Sequence, residues 1–274
     1  MKINLVRLAS YPAPIRLGLF VLTLLLLWVP VAAPISLLLS RLPNLETILT
    51  MALLFGEFLL LLRVWGNKVY RQPQLLKSYG LETTGPNGIE LLKGLSIGLL
   101  LVLSLFALEG QLGWLVWQRP SVFLPRLVIE GLLSALGIGL AEELVFRGWL
   151  LDELLRDYRL GVALWADALI FALLHFIKPL SEIIRTFPQF PGLLLLGLTL
   201  VWAKRSHRNR LGISIGLHAG LVWGYYIINV GQLVKYSGSV SDWITGVDRN
   251  PLAGAVGLVF LGAIAFWMRR LSPA

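Results

Sequence analysis

The sequence predicts an all-α fold, a polytopic transmembrane bundle of about eight helical spans. Three observations lead to this prediction. Hydrophobic residues make up 57% of the 274 positions. Only 14% of the residues are charged, against about 25% in a typical soluble domain. Apolar runs long enough to cross a bilayer recur from one end of the sequence to the other. We therefore expect one membrane domain over residues 1–274.

Polar, turn-rich or proline-containing segments separate the apolar runs and delimit the predicted spans. Pro30 and Pro34 are predicted to kink the first span. The predicted spans are residues 17–39, 48–65, 90–108, 127–155, 161–177, 192–203, 211–230 and 252–268.

Basic residues are distributed unevenly over the loops between these spans. Most of the 24 Lys and Arg residues fall on one side of an eight-span topology, together with both termini. Cytoplasmic loops are enriched in Lys and Arg, so both termini are predicted to be cytoplasmic. The net charge of +9 then indicates contact with the lipid bilayer rather than with nucleic acid, for which no motif is present.

Two acids and an arginine interrupt the fourth span, in the run AEELVFRG at residues 141–148. Charge at membrane depth is costly and by default marks a functional site. On an α-helix, Glu143 and Arg147 are i,i+4 neighbours that can form an ion pair. Glu142 is rotated by about 100° from Glu143, so it is predicted to be free for chemistry. A buried structural ion pair with a spare glutamate is the simpler alternative.

The sequence has three histidines, of which His175 and His218 fall inside predicted spans. His207 lies in a basic loop, where we expect it to be solvated. Counted at about 1.5 Å per residue from the intervening turn, Glu142 and His175 lie at the same depth. Two imidazoles and an acid inside a membrane favour hydrolysis. The nucleophile would be either a water bound to Zn²⁺ or a water activated by a carboxylate without metal.

The order of these groups along the chain resembles a known family. The motifs are Glu142-Glu143-x-x-x-Arg147, then Phe171-x-x-x-His175, then His218. Together they resemble the CAAX-protease and bacteriocin-processing (CPBP, or Abi) family of intramembrane proteases, which is related to the type II CAAX prenyl endopeptidase. The resemblance covers residues 124–226. It implies an all-helical protease for a membrane-associated peptide or protein, in a bacterial cytoplasmic or internal membrane.

The resemblance also implies roles for the residues. Glu142 would be the essential acid that activates water, acting with His175. His218 would bind a metal or stabilise the oxyanion, and a zinc ion would have His175 and His218 as ligands. The supporting residues would be Glu143, Arg147 and Phe171.

One position departs from the family pattern. The family usually has Asn or another polar residue four positions after the last histidine, and this chain has Val222. A valine can neither ligate a metal nor donate a hydrogen bond. The alternative function is therefore a non-catalytic membrane scaffold or bacteriocin-immunity protein on the same fold.

Other functional patterns are weaker. Gly-x-Ser-x-Gly occurs at residues 94–98 and 212–216, but a nucleophile elbow requires a strand-turn-helix context. In apolar helices such glycines predict close helix packing. No His-Glu-x-x-His zinc motif is present, and Asp167 has no second intramembrane aspartate. Glu57 and Glu130 could serve transport, although such groups more often bond to a neighbouring helix.

Overall fold

The computed structural model describes residues 5–120 and 122–273, and 79% of the protein is helical. The all-α prediction is therefore confirmed. Residues 1–4, 121 and 274 lie outside the described part of the chain. The helices are α1 (Ala13–Leu38), α2 (Pro43–Trp65), α3 (Leu75–Ser78), α4 (Gly85–Gln111), α5 (Leu124–Glu143), α6 (Leu151–Leu155), α7 (Leu160–Leu174), α8 (Leu180–Thr186), α9 (Phe190–Ser206), α10 (Gly212–Val230), α11 (Asp242–Thr245) and α12 (Ala255–Leu271).

Shorter elements connect these helices. Two π-helical segments, Gly66–Tyr70 and Leu144–Leu150, continue α2 and α5. The strands β1 (Leu115–Trp117) and β2 (Val234–Tyr236) pair antiparallel, with Leu115 opposite Tyr236. Turns of 3₁₀-helix lie at Leu5–Ser10, Phe187–Gln189, Val247–Arg249 and Pro251–Ala253.

Six helical stretches among the described residues are long and apolar enough to cross a membrane. They are Ala13–Leu38, Pro43–Tyr70, Gly85–Gln111, Leu124–Leu155, Leu180–Ser206 and Gly212–Val230. The fifth predicted span corresponds to α7, an apolar helix of 15 residues, and the eighth to α12, with 17 residues. The protein is thus a multi-pass helical membrane protein, as predicted.

Two helix ends differ from the prediction for identifiable reasons. Helix α4 begins at Gly85, ahead of the predicted start at residue 90, because Pro86 in the first helical turn favours helix initiation. Helix α7 ends at Leu174 and His175 forms its C-cap. The prediction that His175 lies inside an apolar helix was therefore wrong. Pro179 is the N-cap of the next helix, α8, and a proline disfavours helical geometry in the residue that precedes it.

The described chain divides into two compact units. The first contains the residues up to Ser78 together with Glu153–Asp157. In it, α1 packs on α2, and the ring of Phe20 meets the rings of Phe58 and Trp65 edge-on at centroid distances of 5.8 and 5.4 Å. Aromatic edge contacts of this kind add to the apolar packing.

The second unit contains Tyr79–Asp152 and the residues from Tyr158 onward. Its central helix is α10, which packs on α4, α5 and α9. A Cβ atom on Gly98 would lie 2.5 Å from the Leu217 carbonyl oxygen, and one on Gly216 would lie 2.0 Å from that of Leu91. The backbones of α4 and α10 therefore approach too closely for any larger residue. The single domain predicted over residues 1–274 stays a prediction.

The same contact explains the two Gly-x-Ser-x-Gly motifs. Their glycines lie where α4 meets α10. Ser214 is fully buried and its hydroxyl donates to the carbonyl of Leu211 at 3.0 Å, within its own helix. The prediction that these motifs serve packing is confirmed.

Candidate active site

Glu142 and Glu143 form the C-terminal end of α5, where the backbone changes from α-helix to the π-helical segment Leu144–Leu150. The side chain of Glu143 is 0% exposed, whereas that of Glu142 is 32% exposed. The two acids thus occupy different environments, as their helical rotation predicted. The π-helical segment was not predicted. Such segments within α-helices are frequent at functional sites.

Arg147 lies in the π-helical segment and is completely buried. Its Nη1 donates to Glu143 Oε1 at 3.0 Å, so the predicted pair is present. Its Nη2 donates to the Gly197 carbonyl oxygen on α9 at 3.1 Å. The guanidinium carbon lies 4.3 Å from the centre of the Phe171 ring on α7. One side chain therefore holds α5, α7 and α9 together.

His218 lies on α10 and is 4% exposed. Its Nδ1 donates to Glu143 Oε1 at 2.9 Å. Because a carboxylate can only accept, Nδ1 carries the proton and Nε2 is the remaining ring nitrogen. Nε2 faces Glu142 Oε2 at 3.8 Å, and that carboxylate oxygen has no hydrogen-bond partner among the described residues. A separation of this size suits a bridging water.

His175 is half-buried at the end of α7. Its Nδ1 donates to the Phe171 carbonyl oxygen at 2.7 Å, which leaves Nε2 as the second nitrogen. The Phe171 ring lies 4.6 Å from the His175 ring and 6.1 Å from the His218 ring, measured between centroids. Phe171 therefore contacts both imidazoles as well as Arg147, so the sequence motifs do converge around one aromatic ring.

Two charged residues beside Arg147 were not assigned to the site from the sequence. Asp167 on α7 is fully buried, and its Oδ2 lies 3.6 Å from Arg147 Nε. Lys204 on α9 is buried and its Nζ donates to the Arg147 carbonyl oxygen at 2.6 Å. Asp167 faces Arg147 and not an imidazole. Lys204 lies one residue beyond the predicted end of the sixth span at residue 203. The sequence did contain a signal for Asp167, because it precedes Phe171 by one helical turn and therefore lies on the same face of the helix.

The link between Glu143 and His218 was also missed. The sequence predicted the pair of Glu143 with Arg147, but Glu143 Oε1 accepts from His218 as well as from Arg147. Helical spacing can reveal contacts within one helix, but this contact joins residues that are 75 positions apart.

The two histidines do not form a ready metal site. A catalytic zinc ion usually has three protein ligands and one open position. Within residues 5–120 and 122–273, no group of three or more His, Cys, Asp or Glu side chains is arranged to hold a metal ion. His218 Nδ1 is engaged by Glu143, and His175 Nδ1 by a carbonyl. The zinc assignment of His175 and His218 therefore stays a prediction.

A cavity of about 150 Å³ borders His218 in the second unit. Its lining is almost entirely apolar and includes Val222 and Tyr225, which follow His218 on α10. The other lining residues are Leu101, Val102, Leu105, Leu196, Leu221, Asn250, Pro251, Leu252, Gly257, Phe260 and Leu261. Val222 thus contributes an apolar wall where relatives in the resembled family would place a polar group.

The fold and the site define a class, a multi-pass helical membrane protein with glutamate, histidine and arginine side chains clustered between its helices. Residues 123–224 match the family model described as Type II CAAX prenyl endopeptidase Rce1-like. The resemblance seen in the sequence is confirmed over these residues, and the family that they match suggests CAAX-type protease activity. No curated protein and no solved structure matches the chain.

Proposed function

We propose that the chain is an intramembrane endopeptidase that hydrolyses a peptide bond in a membrane-associated peptide or protein. The observation that carries this proposal is the 3.8 Å gap between Glu142 Oε2 and His218 Nε2. A water in this gap would donate one hydrogen to each atom and present a lone pair to a substrate carbonyl. The Glu142 side chain is 32% exposed, but its Oε2, which faces His218, is buried and has no hydrogen-bond partner among the described residues, so a water there would satisfy it.

The reaction balances with groups of this chain and one water. The water oxygen attacks the carbonyl carbon while Glu142 accepts a water proton, which gives a tetrahedral intermediate. The C–N bond then breaks as Glu142 returns that proton to the leaving amine. His175 Nε2 is the nitrogen left for the oxyanion, and a proton on it would supply the kind of contact that stabilises such intermediates. Glu143 keeps His218 in the tautomer whose Nε2 accepts from the water.

No step of this mechanism passes through a metal. Zinc, if the chain binds it, would supply a more acidic water, and His175 and His218 would be its first candidate ligands. We expect activity to survive prolonged chelation and dialysis. If the purified protein contains stoichiometric zinc, loses activity on chelation and regains it with zinc, then the nucleophile is a metal-bound water and not a water activated by Glu142 alone.

We also propose that the chain lies in a bacterial cytoplasmic or internal membrane with both termini cytoplasmic. The uneven distribution of basic residues supports this topology. The chain has no cysteine, so single-cysteine labelling needs no background removal. We expect Ser10→Cys to react from the cytoplasmic side only and Ser239→Cys, in the loop after α10, from the opposite side only. The reverse pattern would overturn the topology.

The activity is tested in liposomes with two internally quenched CAAX-type peptides, one farnesylated and one with a free cysteine. Glu142→Gln should lower cleavage by about 10²- to 10⁴-fold, the range that general base catalysis contributes. Glu130→Gln is the matched control, because Glu130 is 48% exposed and pairs only with Arg126 on the same helix among its described contacts. If no peptide is cleaved in a Glu142-dependent way, the scaffold or immunity function takes the place of the protease.

A further inference from the structure

We infer that Asp167 and Lys204 are positioning residues, which hold Arg147 by opposite charges so that Glu143 keeps His218 facing Glu142. This inference rests on the proposed function for its consequence in catalysis. It concerns residues outside the motifs that define the family resemblance. Both residues are buried in the second unit, and neither belongs to the proposed reacting groups.

The bonds of Arg147 show what Asp167 adds. The two terminal nitrogens of the guanidinium are satisfied by Glu143 and Gly197. Its Nε has no hydrogen bond, and the Asp167 carboxylate lies 3.6 Å away. Asp167 therefore interacts with Nε of the guanidinium, whereas Glu143 bonds to the terminal nitrogen Nη1. Its charge limits how far Arg147 can shift toward Glu143, whose Oε1 must also accept from His218.

Charge balance shows what Lys204 adds. The buried cluster contains two carboxylates, Glu143 and Asp167, and the two cations Arg147 and Lys204. Lys204 feels the negative charges of Asp167 and Glu143, and also that of the half-buried Asp152 nearer the surface. An uncompensated charge at full burial is strongly unfavourable, so removing either Asp167 or Lys204 forces the remaining groups to rearrange.

The location of Asp167 connects this cluster to the second histidine. Asp167, Phe171 and His175 follow one another at four-residue spacing on one face of α7. The contact between Asp167 and Arg147 therefore fixes α7, whose C-cap is His175, against the π-helical segment that follows Glu143. Lys204 makes the corresponding contact from α9 through the Arg147 carbonyl oxygen.

A double-variant cycle separates charge compensation from packing. Asp167→Asn leaves the cluster with excess positive charge, and Lys204→Met leaves it with excess negative charge. Each single variant should lower kcat by about 10- to 100-fold through misplacement of the reacting groups, with little change in KM. In the double variant the charges of the cluster balance again. Its kcat should therefore be about tenfold higher than that of the less active single variant. Glu130→Gln is the matched control.

A second measurement does not depend on cleavage. In protein carrying ¹⁵N-labelled histidine, with His175→Gln and His207→Gln, the remaining ring signals belong to His218. Asp167→Asn and Lys204→Met should each move the His218 Nδ1 and Nε2 signals, and the double variant should return them toward the starting values. This result supports the inference even if the protein cleaves nothing, in which case only the proposed function fails.

Two results would overturn the inference. One is a set of single variants with unchanged His218 signals. The other is a double variant in which the losses simply add, because additivity shows that the two residues act independently. If Asp167→Asn does not yield folded protein, Lys204→Met decides by the same His218 signals and by its kcat and KM.

Discussion

Among the residues that the structure describes, two arginines are buried, Arg16 in the first unit and Arg147 in the second, and their surroundings differ. Every nitrogen of the Arg16 guanidinium is bonded. Nε donates to Glu153 Oε2 at 2.9 Å, Nη2 to the Glu153 carbonyl oxygen at 3.1 Å, and Nη1 to Asp157 at 3.2 Å and to the Tyr11 carbonyl oxygen. The Tyr70 hydroxyl donates to Glu153 Oε1 at 2.5 Å, so both oxygens of that acid are also satisfied.

The Arg147 cluster is incompletely bonded by comparison. Among the described residues, Arg147 Nε, Glu143 Oε2, Glu142 Oε2 and both Asp167 carboxylate oxygens lack hydrogen-bond partners. Unsatisfied buried polar atoms are rare and call for a specific explanation. The Arg16 cluster is thus fully bonded, as expected of a structural ion pair, whereas the Arg147 cluster contains buried polar atoms without a described partner.

The largest effect should come from removing the imidazoles of the second cluster. His175→Ala and His218→Ala should each lower cleavage by about 10²- to 10⁴-fold. His218→Ala should also lower the melting temperature in detergent, because the buried hydrogen bond to Glu143 is lost, whereas His175→Ala should leave it close to that of the unmodified protein. A liposome cleavage assay measures the expected loss of activity, and a thermal melt in detergent measures the effect on stability. Full cleavage by His218→Ala would show that Glu142 orients its water without His218.

Removing either arginine tests the comparison directly. Truncating one partner of a buried ion pair costs about 3–5 kcal/mol, because the other charge is left uncompensated. Arg147→Ala and Arg16→Ala should both lower the melting temperature, but only Arg147→Ala should also abolish cleavage by the folded fraction. An unchanged melting temperature with lost cleavage would instead make Arg147 a contact to the substrate or the transition state.

A smaller effect is expected at the edge of the Arg16 cluster. Tyr70→Phe removes the hydroxyl that donates to Glu153 Oε1. A hydrogen bond to a charged group contributes roughly 1.5–3 kcal/mol. The melting temperature should fall modestly, and cleavage per folded molecule should not change. A loss of cleavage without a loss of stability would contradict the purely structural role of this cluster.

The smallest effect is expected at an exposed pair. Arg126 and Glu130 form an i,i+4 ion pair at 2.7 Å, with side chains 76% and 48% exposed. Exposed pairs contribute little because water screens them. Arg126→Gln should leave melting and cleavage unchanged. A clear loss of either would show that charge removal alone perturbs this protein, and would weaken the conclusions drawn from the buried clusters.

The sequence could predict those features that depend on long apolar runs or on the spacing of residues within one helix. The apolar runs predicted the helical membrane fold, because the bilayer requires long apolar helices. The four-residue spacing predicted the pair of Glu143 and Arg147, and the helical rotation predicted that Glu142 faces elsewhere. Each of these contacts is decided within one helix.

The rest of the site depends on how helices meet, which spacing does not encode. Lys204 is followed by Arg205 and further basic residues, so it was assigned to a solvated loop, yet it is buried against the π-helical segment. Helix α7 ends just before His175, because Pro179, four residues later in the chain, disfavours continued helix. The catalytic roles of Glu142, His175 and His218 stay predictions until variants are assayed.

The π-helical segment Leu144–Leu150 has one more consequence, for the tolerance of this chain to insertion and deletion. A π-helical turn holds one residue more than an α-helical turn needs. Deleting one residue from this segment after Arg147 would let ordinary α-helix form, and the residues that follow would keep roughly their present orientation. Glu143 and Arg147 would still lie four residues apart and could still pair. A one-residue deletion should therefore be tolerated better here than in the regular helix of α5, where it would turn the following residues by about 100° around the helix axis.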